Sequence, residues 1–224
     1  MKHSSTLKVL VGCETSGVVR EAFLERGFDA FSCDLLPADA PTNRHIQDDL
    51  LKVMRSERWD LMAVMHPPCT RLCNSGVRWL KKPPTGKTLD QMWKELEEGA
   101  RFFSECLNAD IPHIAIENPV MHKHAKARIK GFFDFSQSVQ PWHFAMEEAG
   151  PDNAKKRTCL WLKNLPNLVP TGILDGSTAR AEVHTASRTK DRWKIRSKTY
   201  PGIAGAMAEQ WGNYLIKQSV REAA

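Results

Sequence analysis

Short apolar runs alternate with amphipathic stretches along most of the chain. Residues 7–12 read as a strand, and residues 17–27 as a helix stopped by a glycine. Residues 28–34 predict a second strand ending in an acid, and residues 48–56 a second helix. Residues 60–65 predict another strand, followed by a long loop rich in proline and base over 66–87. Residues 88–107 have the apolar spacing of an amphipathic helix, with Met92, Leu96, Phe103 and Leu107 on one side. A strand at 113–116 and a helix at 120–129 follow, then strands at 138–144 and 158–162. Residues 163–198 look irregular, and residues 203–218 predict a closing helix. Strands alternating with helices predict an α/β fold: a mostly parallel sheet with helices on both faces. Ligands of such sheets bind beyond the carboxyl ends of the strands.

Candidate chemistry gathers at that edge. Cys69 follows two prolines in His66-Pro67-Pro68-Cys69-Thr70, just beyond the strand at 60–65. Glu117 follows the strand at 113–116 and opens Glu117-Asn118-Pro119. A thiol and a carboxylate projecting from one sheet edge are the pair that pyrimidine chemistry needs. The 5-carbon of cytosine is a poor nucleophile until a thiolate adds to the 6-carbon and an acid stabilises the charge on the ring.

The net charge of +6 matters for its distribution. Residues 178–198 carry Arg180, Arg188, Lys190, Arg192, Lys194, Arg196 and Lys198 against Glu182 and Asp191. Residues 71–87 carry Arg71, Arg78, Lys81, Lys82 and Lys87, and residues 122–130 carry Lys123, Lys126, Arg128 and Lys130, both without an acid. Three such segments suit a polyanion such as nucleic acid. No apolar run reaches the length of a membrane span, and residues 1–6 lack a signal peptide's apolar stretch. The expectation is a cytoplasmic protein without a membrane partner; no oligomeric state is specified. Six cysteines without a CxxC pair point to reduced thiols. Cys69 and Cys73 with His122 and His124 have the spacing of no common zinc module, so no metal is expected.

In combination these motifs resemble the cytosine-5 DNA methyltransferases, of a compact kind found in phages and prophages. Gly12-Cys13-Glu14-Thr15-Ser16-Gly17 is similar to that family's glycine-containing loop. Asp34 resembles the acidic strand end, and Asp48 the acid near the adenine. After Pro67-Pro68-Cys69, Leu72, Cys73 and Gly76 stand where the family has an apolar, a small and a glycine residue. Glu117-Asn118 matches the family's Glu-Asn motif, and Asn153-Ala154-Lys155-Lys156-Arg157 resembles its Gln-x-Arg-x-Arg motif. Thr70 departs from the usual Gln, and residues 200–208 match the last motif only loosely.

The resemblance implies a Rossmann-like fold that binds S-adenosylmethionine (SAM), with Gly12, Cys13, Glu14, Ser16, Gly17, Asp34, Asp48 and Pro67 at the cofactor. Cys69 would be the nucleophile and Glu117 would hold the base, with Arg157 and Lys155 supporting them. DNA would meet Arg71, Arg78, Lys81, Arg188, Arg192 and Lys194. Residues 1–162 would form the catalytic domain, 163–198 a very small target-recognition segment, and 199–224 a helix packing back. The implied activity is methyl transfer to cytosine in DNA, in a host cell's cytoplasm if phage-encoded. Also open are the same chemistry with a modified donor such as carboxy-SAM, thymidylate-synthase-like chemistry on a free nucleotide, and an inactive DNA-binding relative.

Overall fold

The computed structural model describes residues 6–181, 197 and 199–222. Seven strands form one sheet in the order β3-β2-β1-β4-β5-β7-β6. They are β1 (Lys8–Gly12), β2 (Asp29–Asp34), β3 (His45–Gln47), β4 (Leu61–Val64), β5 (His113–Asn118), β6 (Gln137–Val139) and β7 (Thr158–Lys163). β3, β2, β1, β4 and β5 run parallel, while β7 is antiparallel to both β5 and β6. The result is the expected Rossmann-like α/β fold, a mostly parallel sheet with helices on both faces.

Side-chain alternation along the strands divides the core in two. Leu10, Met62, Val64, Ile114, Ile116 and Trp161 face α2 (Leu50–Ser56) and α3 (Leu89–Leu107). Val9, Val11, Ala63, Ala115 and Leu160 face α1 (Val18–Glu25) and the closing helical run. That run comprises α5 (Pro201–Ala206), a π turn (Met207–Trp211) and α6 (Gly212–Glu222). α3 starts where the sequence places it, because Thr88 and Gln91 form a reciprocal capping box.

Four stretches differ from expectation. The predicted helix over 120–129 contracts to α4 (Lys123–Lys126), capped by His122. The predicted strand over 138–144 ends at Val139, because Pro141 begins a 3-10 turn (Pro141–Phe144) and has no N–H for the ladder. The loop over 66–87 contains a 3-10 helix (Asn74–Leu80) whose Leu80 is in the core. β3 was not predicted. In the irregular stretch, the described residues after β7 are tied to the body: Gly172 N–H donates to His143 O (2.8 Å), and Arg180 N–H to Asn153 O (2.9 Å).

Candidate active site

β1 and β4 are the neighbours at which the strand order reverses, so a crevice opens beyond their carboxyl ends. The turn after β1 forms one wall. Cys13 (φ +56°) and Gly17 (φ +72°) both take left-handed backbone, and a Cβ on Gly17 would run into the Arg20 guanidinium. Glu14 lies elsewhere than expected for a cofactor contact. It is fully buried and caps α1, accepting from Val19 N–H (2.8 Å) and Arg20 N–H (3.3 Å). Ser16 also serves the turn, with its Oγ 3.4 Å from both Glu14 Oε1 and Val18 N. Asp39 N–H donates to Thr15 O (2.9 Å), which joins this turn to the loop after β2.

Asp34 ends β2, half-buried, and accepts from Leu36 N–H (2.9 Å). Leu35 and Leu36 beside it are 71% and 46% exposed, so an acid and apolar surface adjoin at one strand end. Asp48 is exposed and turned toward its own helix, accepting from Asp49 N–H (2.7 Å) and pairing with Lys52 at 3.5 Å. Gly12 and Pro67 are buried in the crevice walls. A left-handed turn, a strand-end carboxylate and adjoining apolar surface fit a nucleoside-bearing cofactor such as SAM.

The other wall carries the thiol and the carboxyl. Val64 pairs with Ile116, so the residues just past β4 lie beside the end of β5. Two connections fix the Cys69 loop to the segment after Glu117: Asn74 N–H donates to Val120 O (3.0 Å), and His122 N–H to Leu72 O (3.0 Å). His122 Nε2–H also donates to Arg71 O (2.6 Å), while its Nδ1 accepts from Ala125 N–H (3.1 Å). Both ring nitrogens of His122 are therefore engaged. Gly76 completes the loop, since a Cβ there would strike the Thr70 carbonyl oxygen. Gly76→Ala is expected to cost about 1–3 kcal/mol of stability. Denaturant unfolding checks this, and an unchanged midpoint would mean the close approach is not kept in solution.

Burial raises the Cys69 thiol to about 12, with the adjacent Glu117 charge adding to the effect and Lys156 opposing it. Glu117 is 6% exposed and rises to about 7 for the same reason, again opposed by Lys156. The Glu117 charge raises the thiol, so the pair disfavours a double anion, and the first proton to leave it is the carboxyl's. His66 Nδ1 lies 3.8 Å from Glu117 Oε2, and His66 Nε2 lies 3.2 Å from Thr199 Oγ1. Burial, then Lys156, lowers His66 well below its ordinary value, so the ring is neutral. Next to Glu117, Asn118 Oδ1 is buried with no hydrogen-bond partner among the described residues.

The supporting base differs from the sequence expectation. Lys156, half-buried, acts on Cys69, Glu117 and His66, whereas Lys155 and Arg157 are exposed. Arg157 Nε–H donates to Ser138 Oγ (3.1 Å), and its guanidinium faces Phe135. Strand parity gives the reason. Glu117 pairs with Leu160, and Leu160, Thr158 and Lys156 share one side of an extended chain while Lys155 and Arg157 take the other. That count could have found Lys156; His66 and Thr199, 133 residues apart, had no such signal.

Arg78 on the 3-10 helix and Lys81 just after it are exposed, with the Arg78 guanidinium over Trp79. Arg71 points away from solvent: its Nε–H donates to Glu95 (2.7 Å) and its side chain is 12% exposed. Arg188, Arg192 and Lys194 lie outside the described residues. An 890 Å³ groove lined by Arg55, Glu105, Asn108 and Lys130 lies near the carboxyl end of α3, away from the thiol and carboxyl.

No family model matches the chain, and no curated protein matches it. One solved structure to which it is similar is a protein assigned as a DNA modification methyltransferase encoded within an E. coli prophage. The similarity covers 70% of this chain and 46% of that one, at 15% identity and a TM-score of 0.39. The chain thus spans about half of that protein's length.

Proposed function

We propose that the protein is a DNA cytosine-5 methyltransferase. The observation that carries this reading is the convergence of Cys69 and Glu117 at neighbouring strand ends, where burial favours one negative charge over two. The target base is turned out of the helix, because its 6-carbon is inaccessible within the stack. Cys69 gives its thiol proton to solvent water, and its Sγ bonds to the 6-carbon, the ring's 5,6 π pair shifting toward the ring nitrogen. Glu117 gives a proton to the ring nitrogen and so neutralises the charge the attack places on the ring. The 5-carbon is now nucleophilic. SAM, when bound by the turn from Gly12 to Gly17 and by Asp34, supplies an electrophilic methyl group. Solvent water then takes the 5-proton, the 5,6 double bond re-forms as the bond from the 6-carbon to Cys69 Sγ breaks, and the ring nitrogen returns its proton to Glu117.

Arg78 on the 3-10 helix and Lys81 just after it supply cationic surface for phosphates in the loop that carries the nucleophile. Residues 163–198 are proposed as the target-recognition segment, with Arg188, Arg192 and Lys194 as its DNA contacts. The test is mass spectrometry of nucleosides from DNA incubated with protein and SAM, or with carboxy-SAM. The expected product is 5-methylcytosine, or its carboxymethyl counterpart with the second donor. Unmodified cytosine under both conditions would overturn the reading.

A further inference from the structure

We propose that His66, held by Thr199, is a positioning residue for Glu117: its imidazole determines which carboxyl oxygen carries the transferable proton. This rests on the reading of Glu117 as proton donor to the base. His66 and Glu117 lie just beyond and at the ends of adjacent parallel strands, with Nδ1 3.8 Å from Oε2. That is outside hydrogen-bonding range, but catalytic hydrogen bonds are often long before substrate binds.

The opposite ring nitrogen fixes the imidazole. Nε2 lies 3.2 Å from the hydroxyl of Thr199, itself 5% exposed. With Thr199 O–H donating to Nε2, the ring hydrogen sits on Nδ1 and faces Oε2. Oε2 is then an acceptor, so the carboxyl proton stays on Oε1 and can be aimed at the substrate. When that proton moves to the base, Nδ1–H faces the new carboxylate, and the proton's return restores the starting state. A neutral ring serves both states, whereas a permanent cation would hold Glu117 ionised. The titratable groups coupled to Glu117 from the surrounding elements are Lys156 before β7, Cys159 on the opposite side of β7, Cys69 beyond β4 and, at 3.8 Å, His66. Within this group, His66 is the ring directed at the carboxyl.

The test pairs two readouts on the full chain. The first is infrared titration of the Glu117 carboxyl, assigned by subtraction of Glu117→Gln. The second is the rate of covalent adduct formation with DNA carrying 5-fluorocytosine. His66→Leu still excludes water but removes the N–H, so Glu117 should hold its proton to higher pH, and adduct formation should slow by about tenfold. His66→Asn, which can place an amide N–H near the position of Nδ1, should restore both. SAM affinity measured by calorimetry should be unchanged in each. Thr199→Val makes the same test through the ring's other nitrogen, in case His66→Leu fails to fold, and should shift both readouts in the same direction. An unmoved midpoint and adduct rate in His66→Leu, or in Thr199→Val if the first does not fold, would overturn the proposal. A midpoint that moves while wild-type protein forms no adduct would keep the His66–Glu117 pairing and overturn the cytosine reading instead.

Discussion

DNA carrying 5-fluorocytosine is expected to trap the wild-type protein covalently in the presence of SAM, and Cys69→Ala to lose the adduct altogether. Fluorine cannot leave as the 5-proton does, so the ring stays bonded to sulfur after the 5-carbon has reacted. The rate of adduct formation should fall by on the order of a thousandfold or more, because covalent chemistry has no residual route once the nucleophile is gone. Cys73 is the rival thiol. It is 8% exposed, and its Sγ lies 3.1 Å from Ser75 Oγ, within the hydrogen-bonded turn behind Cys69. Cys73→Ala should therefore still be trapped. Denaturing gel electrophoresis and peptide mass mapping read both results, and an adduct on Cys73 in wild-type protein would remove Cys69 from the nucleophile's role.

The strands beneath this site were legible because burial on both faces leaves near-continuous apolar runs such as Leu61–Val64. The start of α3 was legible because its cap is written in two residues, Thr88 and Gln91. β3 was not, since His45–Gln47 is a three-residue edge with no apolar run and exists only by pairing with β2. The packed form of residues 66–87 was hidden for a related reason. Proline and base suggest an open loop, yet Leu72 and Leu80 are buried in a core shared with residues distant in sequence. Cys69 and Glu117 lie at the sheet edge where their strands predicted them. The basic motif needed more than composition, because its order of charges says nothing about which side of the chain each takes. The pairing of Glu117 with Leu160 supplies that information.

Lys156→Met should therefore damage the chemistry more than changing Lys155 or Arg157. The Lys156 ammonium lowers both the Cys69 thiol and the Glu117 carboxyl, opposing the burial that raises them. Without it both groups titrate at higher pH. At pH 7 the thiolate fraction falls about tenfold for each unit by which the thiol rises. Adduct formation at neutral pH should thus drop by about tenfold or more, with a pH optimum displaced to the alkaline side. Glu117 would keep its proton further up the scale, so the displaced optimum should retain an alkaline limb. Lys156→Arg, which keeps the charge, should recover most of the rate. Lys155→Met and Arg157→Met leave that charge in place, and their adduct rates should stay within about threefold of wild type at saturating DNA, the range expected for exposed phosphate contacts. Single-turnover trapping across pH 6–9 measures all four variants. Should Lys156→Met keep the wild-type rate and optimum while Arg157→Met loses both, the basic group would be Arg157, as the sequence motif suggests, and the chain before β7 would have to turn over when DNA binds.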